Sequence, residues 1–134
     1  MAFRFSTRIP MRWQDIDSFG VLNNAVYFTL LEQARYEYFA HLDLLRDDNF
    51  PFVLGETRCR YQAPGRLGML LDVGVRIDRL GTKSLESSYE VSHDNDVLAT
   101  ANATLVWVDE GMHSLEIPPE AREAIAGFEG LDEA

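Results

Sequence analysis

One predicted helix limits what this chain can fold into more than any other feature. Residues 25–42 contain no glycine or proline, and large apolar side chains recur in them at helical spacing. The members of this stripe are Tyr27, Leu30, Leu31, Ala34 and Tyr38. Phe28 and Phe39 extend the apolar surface around most of the circumference. Because a helix that is apolar on most sides is buried, we expect the rest of the chain to cover this one.

Five other segments alternate apolar and polar residues with a period of two, which is the pattern of half-buried strands. They are residues 3–13, 52–62, 70–78, 84–92 and 97–108. Turn signals rich in Gly, Pro, Asn and Asp separate the last four of them. Pro10 falls on the outward register of the first segment, so we expect that strand either to lie at an edge of the sheet or to carry a bulge there.

The order of these elements predicts an α+β fold, in which one five-stranded antiparallel sheet wraps around a long central helix. Small alanines in the segment 97–108 leave room on the sheet for that helix. A short amphipathic helix is expected over residues 118–127, within an acidic C-terminal part that begins at about residue 117. We interpret residues 1–134 as a single domain, and we expect another subunit to cover the outer face of its sheet.

Composition narrows the class of protein further. With 134 residues, of which 46% are hydrophobic and 25% are charged, the chain is expected to be globular rather than disordered. The first ten residues lack the apolar core of a signal peptide, and no apolar run is long enough to span a bilayer. The single cysteine, Cys59, cannot form an intrachain disulfide. These features predict a cytoplasmic protein that does not bind a membrane.

The distribution of charge excludes one class of partner and leaves another open. A net charge of −10 argues against nucleic acid, because phosphate backbones are held by basic patches. The segment 58–83 is nevertheless basic, with six arginine or lysine residues against two aspartates. It could hold a small phosphorylated ligand, or it could be a solvated strand face. The three histidines are far apart in sequence, so we expect no metal site.

The segment between the first strand and the helix carries the most informative chemistry. Asp15 and Asp17 lead into Gly20, and the pair Asn23-Asn24 then precedes the helix. Backbone N–H groups at a helix start can stabilise developing negative charge, and a carboxylate beside them could act as an acid or a base. That combination suits acyl transfer. Asp17 could instead be a loop carboxylate that caps the helix, and we expect Asp15 to be structural.

Several motifs make the chain resemble the hotdog-fold acyl-CoA thioesterases, in particular the 4-hydroxybenzoyl-CoA thioesterase-like family. The matching stretches are residues 12–20, Asn23-Asn24 with Tyr27 and Phe28, the pattern Glu32-x-Ala34-Arg35, residues 61–64 and residues 79–84. The resemblance runs over residues 3–108. It implies a hotdog fold and hydrolysis of the thioester of an acyl-coenzyme A. It implies no separate cofactor, because coenzyme A is part of the substrate.

The same resemblance implies roles for individual residues. Asp17 would be the catalytic carboxylate, acting as a nucleophile or as a general base on water. The backbone N–H of Asn24 would form the oxyanion hole. The implied substrate-binding residues are Asn23, Tyr27 and Leu31 near the acyl chain, and Arg58, Arg60, Lys83 and Ser84 near the nucleotide. Subunits of a homodimer or homotetramer would share the site, and a solvated turn is an equally good interpretation of Lys83.

Other functions stay open beside this one. The enzyme could act on thioesters of acyl carrier protein, although an acidic carrier would have to dock on the basic segment of this acidic chain. The chain could also be a non-catalytic module that binds acyl-coenzyme A, because Val21 stands where many family members carry histidine. Dehydration is disfavoured for the same reason. Glu32 would be the catalytic acid in another hotdog branch, and here we expect it to pair with Arg35 or Tyr36.

Overall fold

The computed structural model describes residues 3–132, so residues 1–2 and 133–134 of the predicted domain lie outside the described part. The helices are α1 (Val26–His41) and α2 (Pro119–Glu129), and the strands are β1 (Phe5–Pro10), β2 (Phe52–Tyr61), β3 (Leu70–Leu80), β4 (Ser84–His93) and β5 (Asp96–Trp107). This is the predicted order of one strand, a long helix, four strands and a short helix.

The five strands form one antiparallel sheet in the order β1-β3-β4-β5-β2. β1 and β2 are therefore the two edges, and of the two alternatives that Pro10 left open for β1 the edge position is the observed one. Bulges interrupt the pairing between Leu54 and Glu56 in β2 and between Ile77 and Arg79 in β3. Bulges of this kind bend and twist a strand.

The core lies between α1 and the inner face of the sheet. The buried side chains of α1 are Tyr27, Leu30, Leu31, Ala34, Arg35, Tyr38 and Phe39. Alternate residues of the central strands face them, among them Val73, Val75, Leu85, Tyr89, Ala101 and Leu105. The predicted hotdog arrangement is thereby confirmed. The helix backbone comes closest to β1 and β3, so the alanines of β5 are buried as expected but do not mark its closest approach.

The first strand is shorter than its alternation predicted. It ends at Pro10, and the chain then enters a 3₁₀ turn, Trp13–Asp15, in which the Trp13 side chain is 79% exposed rather than packed on the inner face. The turn forms because the N–H of Asp15 donates to the carbonyl of Arg12 and the Asp15 carboxylate accepts the N–H of Arg12. Local hydrogen bonding here overrides the period of two.

Helix α2 begins with Pro119 and is followed by Gly130 at φ +72°, a left-handed residue of the kind that ends helices. It packs on β3 and ends two residues later than the sequence predicted. Within residues 3–132, neither helix is long and apolar enough to cross a membrane.

Candidate active site

The loop before α1 is held as two short antiparallel arms. The N–H of Asp17 donates to the carbonyl of Val21, and the N–H of Asn23 donates to the carbonyl of Asp15, both at 2.9 Å. Gly20 turns the chain between them at φ +79°. The N–H of Leu22, whose side chain is buried, donates to the carbonyl of Gly65 at 2.8 Å. The loop is thus joined to the segment that follows β2, and both its aspartates are fixed relative to the helix start.

The Asp17 carboxylate caps its own loop rather than α1. Its Oδ1 atom accepts the N–H of Phe19 at 2.8 Å and the N–H of Val21 at 3.4 Å. Among residues 3–132, no donor reaches the other carboxylate oxygen. The side chain is only partly buried. One oxygen therefore anchors the carboxylate, and the other stays open for a ligand or water.

Asp15 has a different environment, one that fits the structural role expected for it. It is buried, and it accepts the backbone N–H, Nε and a terminal nitrogen of Arg12, the last at 2.8 Å. The hydrogen bond from the Arg12 guanidinium lowers the pKa of Asp15 below its ordinary value. A carboxylate so engaged is locked as an anion, which suits an anchor better than a proton carrier.

The Asn23-Asn24 pair forms the turn that leads into α1. The Asn23 side chain accepts the N–H of Ala25 at 2.9 Å, and Ala25 itself occupies the N-cap position. The carbonyl of Asn24 accepts the hydroxyl of Tyr61 at 2.8 Å. Within residues 3–132, the N–H of Asn24 donates to no acceptor. This free donor lies at the positive end of a helix, where an oxyanion would be stabilised.

Tyr27 and Leu31 lie on the inner side of α1, in the core. Both are almost fully buried, and the Tyr27 ring meets the Tyr61 ring edge-on with centroids 5.1 Å apart. Burial raises the pKa of Tyr27, which keeps its hydroxyl protonated. Their proposed contact with an acyl chain stays a prediction, because in this single chain they contact the core.

The basic residues predicted for the nucleotide do not lie together: Arg60 directly precedes Tyr61, whose hydroxyl bonds the Asn24 carbonyl, whereas Lys83 and Ser84 are far from the loop. Arg58 and Arg60 are exposed on β2, and Arg58 pairs with Glu56 at 3.4 Å. Lys83 directly precedes β4, and Ser84 is its first residue. Ser84 pairs with Val106 of β5, which in turn pairs with Val53 of β2. Val53 is eight residues from Tyr61 along β2, which is roughly 26 Å of strand. Within one subunit, therefore, Lys83 and Asn24 are at opposite ends of the sheet.

Much of the basic character of the segment 58–83 is balanced by neighbouring carboxylates. Arg76 pairs with Asp78, and Arg79 with Glu86 at 3.6 Å. Glu32, which we expected to pair with Arg35 or Tyr36, pairs with neither: the Tyr36 hydroxyl donates to the carbonyl of Asp48. In the described part of the chain, no three His, Cys, Asp or Glu residues are grouped as a metal would require.

Two residues matter here for reasons that the sequence did not reveal. Tyr61 was noted only as part of a family motif, yet its hydroxyl holds the Asn24 carbonyl. Arg35 was expected to face an acid, yet it is buried against Tyr89. The one available signal for Arg35 was its place in the apolar stripe of α1, four residues after Leu31. Trp13 and Phe19, 79% and 87% exposed, leave an apolar surface beside the loop.

Comparison with known proteins gives consistent matches over almost the whole chain. The family model of the thioesterase-like superfamily matches residues 11–125. The chain is 28% identical to the long-chain acyl-CoA thioesterase FadM of Escherichia coli K12 over 125 residues, covering 89% of this chain and 95% of FadM. It is 30% identical to the acyl-CoA thioester hydrolase YbgC of Escherichia coli O6:H1 over 112 residues, covering 80% and 82%.

A solved structure and a more distant relative extend these matches. A thioesterase of Thermus thermophilus, solved in complex with coenzyme A and zinc, has a TM-score of 0.87 and 34% identity, with 96% of each chain covered. The acyl-acyl carrier protein thioesterase ATL3 of Arabidopsis thaliana is 23% identical over 132 residues, covering 94% of this chain and 70% of ATL3.

Proposed function

This chain belongs to the thioesterase-like superfamily, and on that premise we propose that it hydrolyses the thioester bond of an acyl-coenzyme A. One observation supports this proposal independently of family membership. The loop Asp15–Asn24 holds a carboxylate with one open oxygen, Asp17, close in the chain to an unpaired backbone donor, the N–H of Asn24. A base or nucleophile and an oxyanion donor on one fixed loop are what acyl transfer requires.

The proposed reaction joins these two groups at the thioester carbonyl. As a general base, Asp17 takes a proton from water while the water oxygen bonds to the carbonyl carbon. The negative charge that develops on the carbonyl oxygen is stabilised by the N–H of Asn24 and the start of α1. The C–S bond then breaks, and the thiolate receives the proton. As a nucleophile, Asp17 would itself bond to the carbonyl carbon, and the C–S bond would break to release the thiolate. Water would then cleave the resulting mixed anhydride, freeing the acid and Asp17 and supplying the proton that the thiolate takes up.

We propose further that the site is shared between subunits of a homodimer or homotetramer. β2 is a sheet edge, and beside it Leu54 and Phe28 are 49% and 38% exposed. A second copy that covers this edge would bury apolar surface. It would also allow Arg58, Arg60, Lys83 and Ser84 to reach one nucleotide from two subunits, because within a single chain Lys83 and Ser84 lie at the opposite end of the sheet from Asn24. We place the protein in the cytoplasm because its one cysteine fits a reducing compartment.

The second candidate substrate is a thioester of acyl carrier protein. The similarity to ATL3 favours it, but an acidic carrier would meet a chain with a net charge of −10. We therefore rank coenzyme A first. A non-catalytic acyl-CoA-binding module is third, because a carboxylate beside a thioester contributes little to binding alone.

The decisive experiment measures thiol release from short, long and aromatic acyl-coenzyme A thioesters by the wild type and by Asp17→Asn. Asparagine keeps the oxygen that accepts the N–H of Phe19 but cannot act as base or nucleophile. We expect kcat to fall by at least about a hundredfold with little change in Tm. Asp109→Asn is the matched control, because Asp109 also accepts loop N–H groups, those of Gly111 and His113, both at 2.9 Å.

The possible outcomes separate the candidates. Turnover by the wild type that Asp17→Asn abolishes and Asp109→Asn preserves would support the proposal. Unchanged turnover in Asp17→Asn would remove this mechanism and make Glu32 the next residue to substitute. Saturable binding of acyl-coenzyme A without turnover would favour the binding module. Turnover limited to acyl carrier protein thioesters would favour the second substrate.

A further inference from the structure

Gly65, outside the loop that carries Asp17, is the residue to which that loop is joined. Its carbonyl accepts the N–H of Leu22 at 2.8 Å. Leu22 lies between Val21, whose carbonyl accepts the N–H of Asp17, and Asn23, whose N–H closes the other arm of the loop. Within residues 3–132, no other hydrogen bond between backbone groups joins residues 15–24 to the segment after β2. The position of both arms therefore depends on this contact.

The segment that carries Gly65 is itself fixed to the sheet. The N–H groups of Gln62 and Ala63 both donate to the carbonyl of Leu98 in β5, at 2.8 and 3.1 Å. Pro64 then restricts the backbone just before Gly65, and Gly65 is buried. Because Gly65 is held from the sheet, the loop is the part that would move if the contact between them were crowded.

The space around Gly65 has no room for a side chain. A Cβ atom at this position would lie 3.1 Å from Cε of Met11 and 3.2 Å from Cβ of Leu22, whereas carbon atoms rest at about 3.5–4.0 Å. The Met11 methyl ends a flexible side chain and can shift, but the Leu22 Cβ is bonded to the loop backbone. Gly65 does not have a left-handed backbone, so alanine could adopt its conformation. Contact with the loop, rather than backbone strain, requires glycine here.

Gly65 also contacts the first turn of α1. A hydrogen bond from its backbone to the Tyr27 hydroxyl opposes the rise in the pKa of Tyr27 that burial causes. Tyr27 is the second residue of α1 and is almost fully buried. One residue thus contacts both the loop that carries Asp17 and the start of the helix that follows Asn24.

We propose that Gly65 is a positioning residue, which sets the distance between the Asp17 carboxylate and the N–H of Asn24 through its contacts with Leu22 and Tyr27. This inference rests on the proposed function. Attack on a thioester requires the base and the oxyanion donor to be aligned on one carbonyl group. A change in their separation therefore affects the transition state more than it affects substrate binding.

The test is Gly65→Ala, measured by thiol release with an acyl-coenzyme A that the wild type hydrolyses. The new methyl group displaces Leu22 by a fraction of an ångström, and a misplacement of about 1 Å can cost roughly a hundredfold in rate. We expect kcat per folded molecule to fall about tenfold with KM nearly unchanged. A substrate analogue in which CH₂ replaces the thioester sulfur should bind both proteins with the same Kd by calorimetry. A purely structural role would lower Tm without this separation of kcat from binding.

Gly111→Ala is the matched control. A Cβ at Gly111 would lie 3.1 Å from Nδ1 and 3.2 Å from Cε1 of His113, and Gly111 too lacks a left-handed backbone. The crowding is the same, but it falls on an exposed side chain in the loop after β5. Gly111→Ala should therefore leave kcat unchanged.

Tyr27→Phe is a second variant that adds no atom. It keeps the ring in the core and removes only the hydroxyl that interacts with Gly65. We expect kcat to fall about threefold with KM nearly unchanged, because the helix start is then held less firmly. If Gly65→Ala does not fold, this variant decides, and an unchanged kcat would overturn the proposal.

The outcomes separate this inference from the function on which it rests. A folded Gly65→Ala with the kcat of the wild type would overturn the role of Gly65 and keep the thioesterase. Equal losses in Gly65→Ala and Gly111→Ala, or a parallel loss of kcat and analogue binding, would also count against positioning. A wild type that releases no thiol from any thioester would reject the proposed function, and the role of Gly65 with it.

Discussion

The hydroxyl of Tyr61 donates a hydrogen bond of 2.8 Å to the carbonyl of Asn24, and so joins the end of β2 to the turn before α1. The two residues are 37 positions apart in the chain. The adjoining Tyr27 ring packs edge-on against Tyr61 and limits its movement. The peptide that would present the oxyanion donor is therefore held from the sheet as well as from its own loop.

Removing this hydroxyl should slow catalysis more than it weakens binding. For Tyr61→Phe we expect kcat to fall about tenfold with KM nearly unchanged, because misplacing an oxyanion donor affects the transition state most. Tyr36→Phe is the matched control, since the Tyr36 hydroxyl also donates to a carbonyl, that of Asp48, at 3.0 Å. Equal kcat values for Tyr61→Phe and the wild type in steady-state assays would contradict a positioning role.

The Arg12–Asp15 pair should make stability depend on pH in the acid range. Arg12 lowers the pKa of Asp15 in the folded state. The pair therefore contributes its full stability above the pKa of Asp15 in the unfolded chain, about 3.9. That contribution is lost as the pH falls through the lower pKa that Asp15 has in the folded protein. Because Arg12 is 60% exposed, we expect Arg12→Gln to lower the free energy of unfolding by a small amount at neutral pH, and by almost nothing at the lowest pH at which the protein folds.

Urea unfolding of both proteins across this pH range measures that difference. Arg8→Gln is a control, because its partner Asp72 is more exposed than Asp15, with 38% of the side chain accessible against 5%, and should contribute less. A stability difference between the wild type and Arg12→Gln that stays constant from neutral to acid pH would rule out the linkage.

Glu129 should stabilise the contact between the two helices and the sheet. Its Oε2 atom accepts the hydroxyl of Tyr38 in α1 at 2.6 Å and the N–H of Ile77 in β3 at 3.0 Å. Glu129→Ala would leave the buried Tyr38 hydroxyl without an acceptor, so we expect the free energy of unfolding to fall by about 1–3 kcal/mol. Glu123→Ala, at an exposed position of the same helix, should change it little. Equal losses for both variants in thermal unfolding would contradict this role.

A charge at the free edge of β2 should weaken self-association. Leu54 is 49% exposed there. We expect the wild type to sediment as a dimer or larger, and Leu54→Asp to raise the dissociation constant at least about tenfold. Met112→Asp changes an exposed apolar residue in the loop that follows β5 and should leave sedimentation unchanged. A monomeric wild type, or no response to Leu54→Asp, would show that this edge is not the contact.

The elements of the fold could be predicted from the sequence because the spacing of its apolar residues reflects which side chains are buried. The alternation of Leu71, Val73 and Val75 reappears as the buried side of β3, and the stripe around Leu31 as the buried side of α1. Pro10 limited β1 to an edge or a bulge, and β1 is an edge strand. The pattern misled at Phe28, which was expected to be covered but is 38% exposed, and at Trp13, where hydrogen bonds between Arg12 and Asp15 turned the chain out of the sheet.

The candidate site was readable only in part. The loop that carries Asp17 and Asn24 was found because its residues are adjacent in the chain and its local bonds decide its shape. The basic segment was less informative, since an arginine on β2 can be exposed and paired, as Arg58 is. No sequence pattern distinguishes the position of Arg58 from that of a ligand-binding arginine, because the difference depends on which part of the fold packs beside the side chain.

The sequence by itself determined the strands, the central helix and the loop with the open carboxylate, because each depends on residues a few positions apart. Only the tertiary structure decided that Tyr61 holds Asn24, that Arg35 is buried against Tyr89, and that Lys83 is at the far end of the sheet. These relationships follow from strand pairing between distant segments, and their energies come from burial and hydrogen bonds that exist only once the sheet has closed around α1.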